Sequence, residues 1–420
     1  MTESHVALTY TFSFLLMAVT GTQLWLSSRQ MRHVAKHRPQ VPTAFATTVG
    51  LSSHQKAADY TVAKGRLSLA EVALQSAVVL GWTLLGGLDG LNQWLLDHMA
   101  VGFAQQLALV IGFALVGALV DLPLGWYRTF RLEEKFGFNR TTLRNWFMDG
   151  LKGGLVAAAL GLPILAAVLS LMANAGSLWW LWAWGVFMSF NLLIMFAYPT
   201  LIAPLFNTFQ PLSDEMLKER VTRLMKCCGF KAQGLFVMDG SRRSAHANAY
   251  FTGWGSAKRV VFYDTLLAQL NPDEVDAVLA HELGHFHHKH VLKRMLSMMI
   301  MSFAGFALLG WLSAQTWFYT GLGVQPNLQG PNDALALLLF MLVAPLLTFY
   351  ASPFFAAQSR KDEFEADHFA MLKTDGKALA SALLKLHKDN ATTLTPDPWY
   401  VWFYHSHPPA NQRLEKLAKP

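Results

Sequence analysis

The sequence predicts a mainly α membrane protein: a bundle of seven transmembrane helices with an α+β domain on its cytoplasmic side. Three observations predict this. Hydrophobic residues make up 53% of the 420 residues and charged residues only 15%, a balance foreign to soluble proteins. Seven nearly uncharged stretches are each long enough to cross a bilayer. One long polar segment, 207–293, interrupts them before the last two.

The spans run from Val6 to Leu26, Leu67 to Leu88, Leu107 to Trp126, Gly154 to Met172, Trp179 to Leu205, Met295 to Gln315 and Ala334 to Pro353. The first lacks a basic start and is followed by a basic segment where a signal peptide has a small-residue cleavage site, so it reads as a retained span. Basic residues orient the chain. Arg29, Arg32, Lys36, Arg38, Lys56, Lys64 and Arg66 lie between spans one and two, and Arg128, Arg131, Lys135, Arg140, Arg144 and Lys152 between three and four. The opposite loops, 89–106, 173–178 and 316–333, contain no Lys or Arg. The positive-inside rule puts the N-terminus outside and, after an odd number of spans, the C-terminus inside. The polar segment then faces the cytoplasm, and the chain returns to that side at Ser359. The net charge of +7 is explained by these loops and does not point to nucleic acid. Cys227 and Cys228, the only cysteines, are adjacent and suggest neither a disulfide framework nor a metal site.

Within the polar segment, Asp214 to Cys227 reads as an amphipathic helix with Met216, Val221 and Leu224 inward. Gly234 to Met238 and Arg259 to Tyr263 read as strands, and Ala245 to Phe251 between them as an edge strand. There is no internal repeat or low-complexity tract.

The chemistry concentrates in the stretch from Asn271 to His285. Asn271 suits an N-cap, Pro272 the first helical position and Glu274 the third, so a helix starts here on local grounds. Val275, Val278, Leu279 and Leu283 form its apolar stripe. His281 and His285, one turn apart on another face, can reach a single ion, and Glu282 beside them is free to act as a base: this is the HExxH pattern of zinc peptidases. The plain alternative is a solvated helix that happens to carry histidines, since His287, His288 and His290 follow. His288 shares the face but lies about 10.5 Å along the axis from His281, too far for the same ion, and reads as a surface residue.

A third ligand is expected after the last span, where Ser359 to His368 looks helical. Spacing does not choose among Asp362, Glu363, Glu365 and His368, but it does place Glu363 and Asp367 on one face, so that one can bind metal while the other orients a ligand histidine. A charged helix leaving the membrane is the bland reading. The aromatic run from Trp399 to Tyr404 reads as an interfacial anchor, and His407, before two prolines, either belongs to that anchor or points into the site.

Five motifs in order resemble the type I CAAX prenyl endopeptidases: Glu133-Glu-Lys-Phe-Gly-Phe-Asn139, His246-Ala-Asn-Ala-Tyr-Phe251, His281-Glu-Leu-Gly-His285, the Ser-Arg-x-x-Glu-x-x-Ala-Asp run through Glu363 and Asp367, and Ser406-His-Pro-Pro409. The resemblance implies a seven-helix bundle enclosing a chamber and closed on the cytoplasmic side by a gluzincin-like metallopeptidase domain. Residues 1–206 would form the membrane domain with five helices, and 207–420 the metallopeptidase domain with spans at about 295–315 and 334–353. It implies one zinc ion on His281, His285 and Glu363, Glu282 as general base and Asp367 behind the ligands. His407 and Arg413 match positions that stabilise the reacting carbonyl and organise the site, and Asn248, with Ala247 and Tyr250 in the same segment, matches the substrate-holding strand. One departure stands out: the family often has an uncharged residue where Glu365 stands, which is expected to alter nothing at the metal. The implied partners are a peptide or prenylated protein and membrane lipids, with the chain acting as a monomer. Two rivals remain, a membrane-protein quality-control metallopeptidase of the heat-shock type, which usually has fewer spans, and a transporter with a structural metal, which would want four protein ligands.

Overall fold

A computed structural model describes residues 3–230, 232–252 and 258–417. The first half of the chain is helical: α1 (Glu3–His37), α2 (Leu51–Trp82), α3 (Gly87–His98), α4 (Phe103–Tyr127), α5 (Leu143–Asn174) and α6 (Trp179–Ala197). Among the described residues six helical stretches are long and apolar enough to cross a membrane; α2 and α3, bent by 47°, make a seventh only if the pair is one broken span. The expected number of seven is reached only by counting that pair as one span. The expected span from Leu67 to Leu88 runs through the break, where Gly86 has a φ of 79°. At Gly87 a Cβ would lie 2.6 Å from the Gly81 carbonyl oxygen, so the chain bends at a point where only glycine fits.

The polar segment forms β1 (Phe209–Pro211), α7 (Glu215–Cys227), β2 (Ala232–Met238), β3 (Ala249–Thr252), β4 (Lys258–Tyr263), α8 (Asp264–Leu267) and α9 (Pro272–His287). The strands make one sheet in the order β1-β2-β4-β3, with β2 and β4 parallel and the outer pairs antiparallel. β3 is an edge strand, as expected, but it starts at Ala249, four residues later than the sequence suggests. In α7, Met216 is 71% exposed, contrary to the expected inward face. Val221 is buried as expected, and with it Leu217 and Met225, a four-residue repeat that meets the sheet and α9.

The chain then continues through α10 (His290–Leu312), α11 (Thr316–Thr320), α12 (Asp333–Thr348), α13 (Ser352–Lys373), α14 (Gly376–Asp389), α15 (Pro398–Tyr404) and α16 (Ala410–Leu417). Two cores result. One joins the membrane helices around Phe12, Leu109, Leu169 and Leu338; the other joins the sheet, α7 and α9 around Val221, Phe262, Leu279 and Leu283. In the second core each such side chain, fully withdrawn from water, contributes about 1.5–3 kcal/mol before chain entropy is counted, whereas the helices of the first are held by close packing in lipid. A cavity of about 1400 Å³ lies between α10, α12 and α13, lined by Met298, Met301 and Phe340 and carrying Lys293, Arg294 and Asp362.

Candidate metal centre and active site

α9 starts as its sequence dictates. Asn271 Oδ1 accepts from Glu274 N at 2.9 Å, and Glu274 Oε2 accepts from Asn271 N at 2.8 Å, a complete capping box. Burial alone would raise the Glu274 carboxyl. Lys385, Ser381 and the Asn271 N–H outweigh it and hold the group below the usual carboxylate range. Val275, Leu279 and Leu283 are buried as the stripe requires, which leaves the histidine face turned toward α13.

The two helices meet closely. A Cβ at Gly284 would lie 2.9 Å from Ala366 Cα, so glycine here permits the approach that brings α13 against the histidine pair. His281 Nε2 lies 3.4 Å from Glu363 Oε2, and His285 Nε2 lies 3.3 Å from Glu363 Oε1. These three side chains form a group able to hold one ion, with Glu363 2% exposed. Glu363 is thus selected from the four candidates that spacing left open.

The residues fit a metal ion on three counts. Glu363 Oε2 is buried without a hydrogen-bond donor, a state that a cation would relieve. Both ring Nδ1 atoms are engaged from behind, His281 by Asp367 Oδ1 at 2.9 Å and His285 by His290 Nδ1 at 2.9 Å, so both Nε2 lone pairs face the gap. Burial would push His281 down, yet Asp367 and Glu363 outweigh it and hold it up to about 9, so the pocket's field favours positive charge.

The supporting residues are equally specific. Arg413, 6% exposed, donates from Nε at 2.8 Å and from Nη2 at 2.5 Å to the two oxygens of Asp367. Its Nη2 also lies 3.4 Å from His281 Nδ1, but that nitrogen spends its proton on Asp367 and does not accept. Arg413 therefore organises the site from below. His407 stands on the open side, its ring largely exposed, with Nε2 3.4 Å from Glu363 Oε1. Glu282 is half-buried and has no ion-pair or hydrogen-bond partner among the described residues.

The segment before β3 is buttressed by the Glu133 motif. Glu133 ends a π-helical turn, Arg128–Glu133, and accepts from Tyr60 Oη at 2.7 Å, while His246 Nε2 lies 3.7 Å from its other oxygen. Asn390 Oδ1 faces His246 Nδ1 at 3.1 Å and accepts from Ala247 N at 3.2 Å. Ala247 is buried in the core with its N–H engaged, which corrects its expected place as a free substrate-facing residue. Asn248 is exposed; its carbonyl accepts from Tyr263 N, and its Oδ1 covers Ala249 N at 2.8 Å. Tyr250 is half-buried and packs edge-on to Tyr263. With Asn248 bonded to β4, alternation turns the backbone groups of Ala249 and Phe251 to the free edge.

Two participants escaped the sequence. Asn390 sits at a helix end with no motif around it. His290 is reached only because Lys289 takes a left-handed φ of 57°, ending α9 and turning the next residue back toward His285. His290 Nε2 lies 3.0 Å from Glu365 Oε2, so Glu365 is linked to a histidine of the metal group after all. His288 is in neither candidate ligand group among the described residues and is half-buried.

A membrane-helix body, with a histidine pair on one helix closed by a distant glutamate, defines a membrane-embedded metallopeptidase. Comparison with known proteins agrees: residues 211–420 match the model of peptidase family M48, and residues 30–208 match the CAAX prenyl protease N-terminal model, five membrane helices. A CAAX prenyl protease 1 homolog of Oryza sativa subsp. japonica is 32% identical, covering 94% of this chain and 93% of its own. CAAX prenyl protease 1 of Saccharomyces cerevisiae is 36% identical over 76% of this chain and 73% of its own. The crystal structure of S. mikatae Ste24p superposes with a TM-score of 0.91 at 29% identity, covering 98% of this chain and 99% of that one. The chain belongs to peptidase family M48, whose members are metal-dependent.

Proposed function

We propose that the protein is a zinc endopeptidase that hydrolyses peptide bonds near the C-terminus of prenylated proteins, with its site on the cytoplasmic side of the membrane. One observation carries the reading: His281, His285 and Glu363 turn their free Nε2 and carboxylate oxygens toward one gap, while every rearward atom of the histidines is held by another side chain. The CAAX substrate class comes from the relatives' names and the five sequence motifs. The cytoplasmic side and the division into residues 1–206 and 207–420 rest on the lysine and arginine distribution and the span pattern. The site is complete within one chain, which supports a monomer.

Zinc, when bound, supplies Lewis-acid polarisation of the scissile carbonyl and an acidified water. Glu282, unpaired among the described residues and adjacent to His281, takes the attacking water's proton as the new C–O bond forms and delivers it to the leaving amine as the C–N bond breaks. His407, on the open side of Glu363, is placed to donate to the carbonyl oxygen as charge develops there. Arg413 holds Asp367, and Asp367 holds His281. The peptide adds to the free edge of β3 through Ala249 and Phe251, with Asn248 exchanging its own Ala249 contact for the substrate backbone. The cavity beside Asp362 is large and apolar enough for a lipid chain, each buried methylene contributing about 0.8 kcal/mol.

Incubating the purified protein with a prenylated peptide and its unprenylated twin, with and without a chelator, tests this. Cleavage confined to the prenylated peptide and abolished by chelation is the expected result. Indiscriminate cleavage of unmodified membrane proteins, with the prenylated peptide ignored, would favour the quality-control reading.

A further inference from the structure

We infer that His290 and Glu365 form a positioning relay that fixes His285 and strengthens it as a ligand, so that the glutamate at 365 tunes the affinity of the metal site. This rests on the metal-centre reading above and concerns only this chain's own residues behind the ligands.

The tautomers leave one consistent arrangement. His285 turns Nε2 toward Glu363 and the gap, which needs a lone pair there and places its proton on Nδ1. That Nδ1–H donates to His290 Nδ1 at 2.9 Å, which places the proton of His290 on Nε2. Nε2–H in turn donates to Glu365 Oε2 at 3.0 Å. Three groups thus point one way, from metal ligand to carboxylate. His281 has a shorter version of the same device, donating directly to Asp367. A carboxylate at the end of such a chain draws density through both rings toward Nε2 of the ligand and fixes its orientation.

The surroundings favour this direction. His290 is 1% exposed, so its N–H must find an acceptor inside the protein. Asp362 Oδ1, at 3.7 Å, is farther from it than Glu365 and already accepts from Gln358. His290, Asp362 and Glu365 also have the composition of a second cation site. The tautomers oppose that: a second ion would need the His290 Nε2 lone pair, where the relay puts the proton.

The test uses the full-length protein in detergent, with zinc affinity from chelator competition, zinc stoichiometry, the visible spectrum of the cobalt-loaded protein and the thermal midpoint of the metal-free form. Glu365→Ala should weaken zinc binding about tenfold and His290→Ala by about 10–100-fold, with a changed cobalt spectrum. Glu365→Gln, which keeps shape and an acceptor but not the charge, should fall between wild type and Glu365→Ala, whereas Asp362→Asn should stay near wild type. Glu365→Gln, which keeps an acceptor for the buried His290 N–H, should leave the metal-free midpoint near that of wild type, whereas Glu365→Ala should lower it modestly; should His290→Ala fail to fold, the Glu365 variants decide the matter. Wild-type affinity and spectrum in both Glu365 variants would overturn the relay, as would a second equivalent of zinc lost on their substitution. A wild-type protein that bound no metal would instead overturn the reading of the centre itself.

Discussion

Asp367 and Arg413 form a buried two-pronged ion pair directly behind His281, with side chains 3% and 7% exposed. Removing one charge leaves the other buried and unpaired, so Asp367→Asn should cost about 3 kcal/mol or more of stability. Zinc affinity should drop about 10–100-fold besides, because the amide no longer fixes the His281 tautomer. Denaturation of the metal-free protein and chelator competition separate the two effects.

Among the described residues Glu282 has no partner to lose, so Glu282→Gln should keep the fold and the metal content. Hydrolysis should fall by about 10²–10⁴. Metal analysis beside peptide turnover checks this, and normal turnover would mean that the base is another group.

The packing of α9 on α13 depends on Gly284, where the atom facing a new Cβ belongs to the Ala366 backbone and has no flexible end to swing away. Gly284→Ala should therefore separate the helices slightly, costing about 1–3 kcal/mol and lowering zinc affinity even though alanine is the better helix former. A stabilised, fully metal-loaded variant would refute the close-contact account.

Glu274 holds a folded-state pKa below its ordinary value despite burial, because Lys385, Ser381 and the Asn271 N–H stabilise the anion. A depressed carboxylate contributes stability that is present above its unfolded pKa and is lost as pH falls through the folded one. Melting of Glu274→Gln against wild type should show a gap near neutrality that narrows as the pH drops below about 4. A gap that stays constant across that range would contradict the charged role.

Asn248 is expected to act on binding. Asn248→Ala should raise KM for a peptide with little change in kcat, lowering kcat/KM about fivefold, the worth of a hydrogen bond of about 1 kcal/mol. Steady-state kinetics on one peptide suffices.

The legible parts of this molecule are those whose causes lie close along the chain. Asn271, Pro272 and Glu274 announce the start of α9 because a capping box spans three residues, and the histidine pair follows because one helical turn spans four. Spacing narrows the third position only to four residues, Glu363 among them, and family resemblance alone separates it; the deciding fact is which face of α13 meets Gly284, and that is tertiary. His290 reads in the sequence as one more histidine in a run, since its placement depends on a left-handed Lys289 that no propensity favours. The break between α2 and α3 was hidden by hydropathy, which counts apolar residues and does not see Gly86 and Gly87 turning the chain. Ala247 fell on the expected strand but is claimed by Asn390, more than a hundred residues on.

The left-handed corner at Lys289 has a mechanical consequence. His290 is the first residue of a membrane-crossing helix and, through one hydrogen bond, the neighbour of His285. Hydrophobic mismatch that tilts this helix must carry the imidazole with it, because only two residues, His288 and Lys289, separate the two helices. The thickness of the surrounding lipid thus enters the coordination chemistry, and vesicles of graded acyl-chain length should grade the enzyme's hold on its ion.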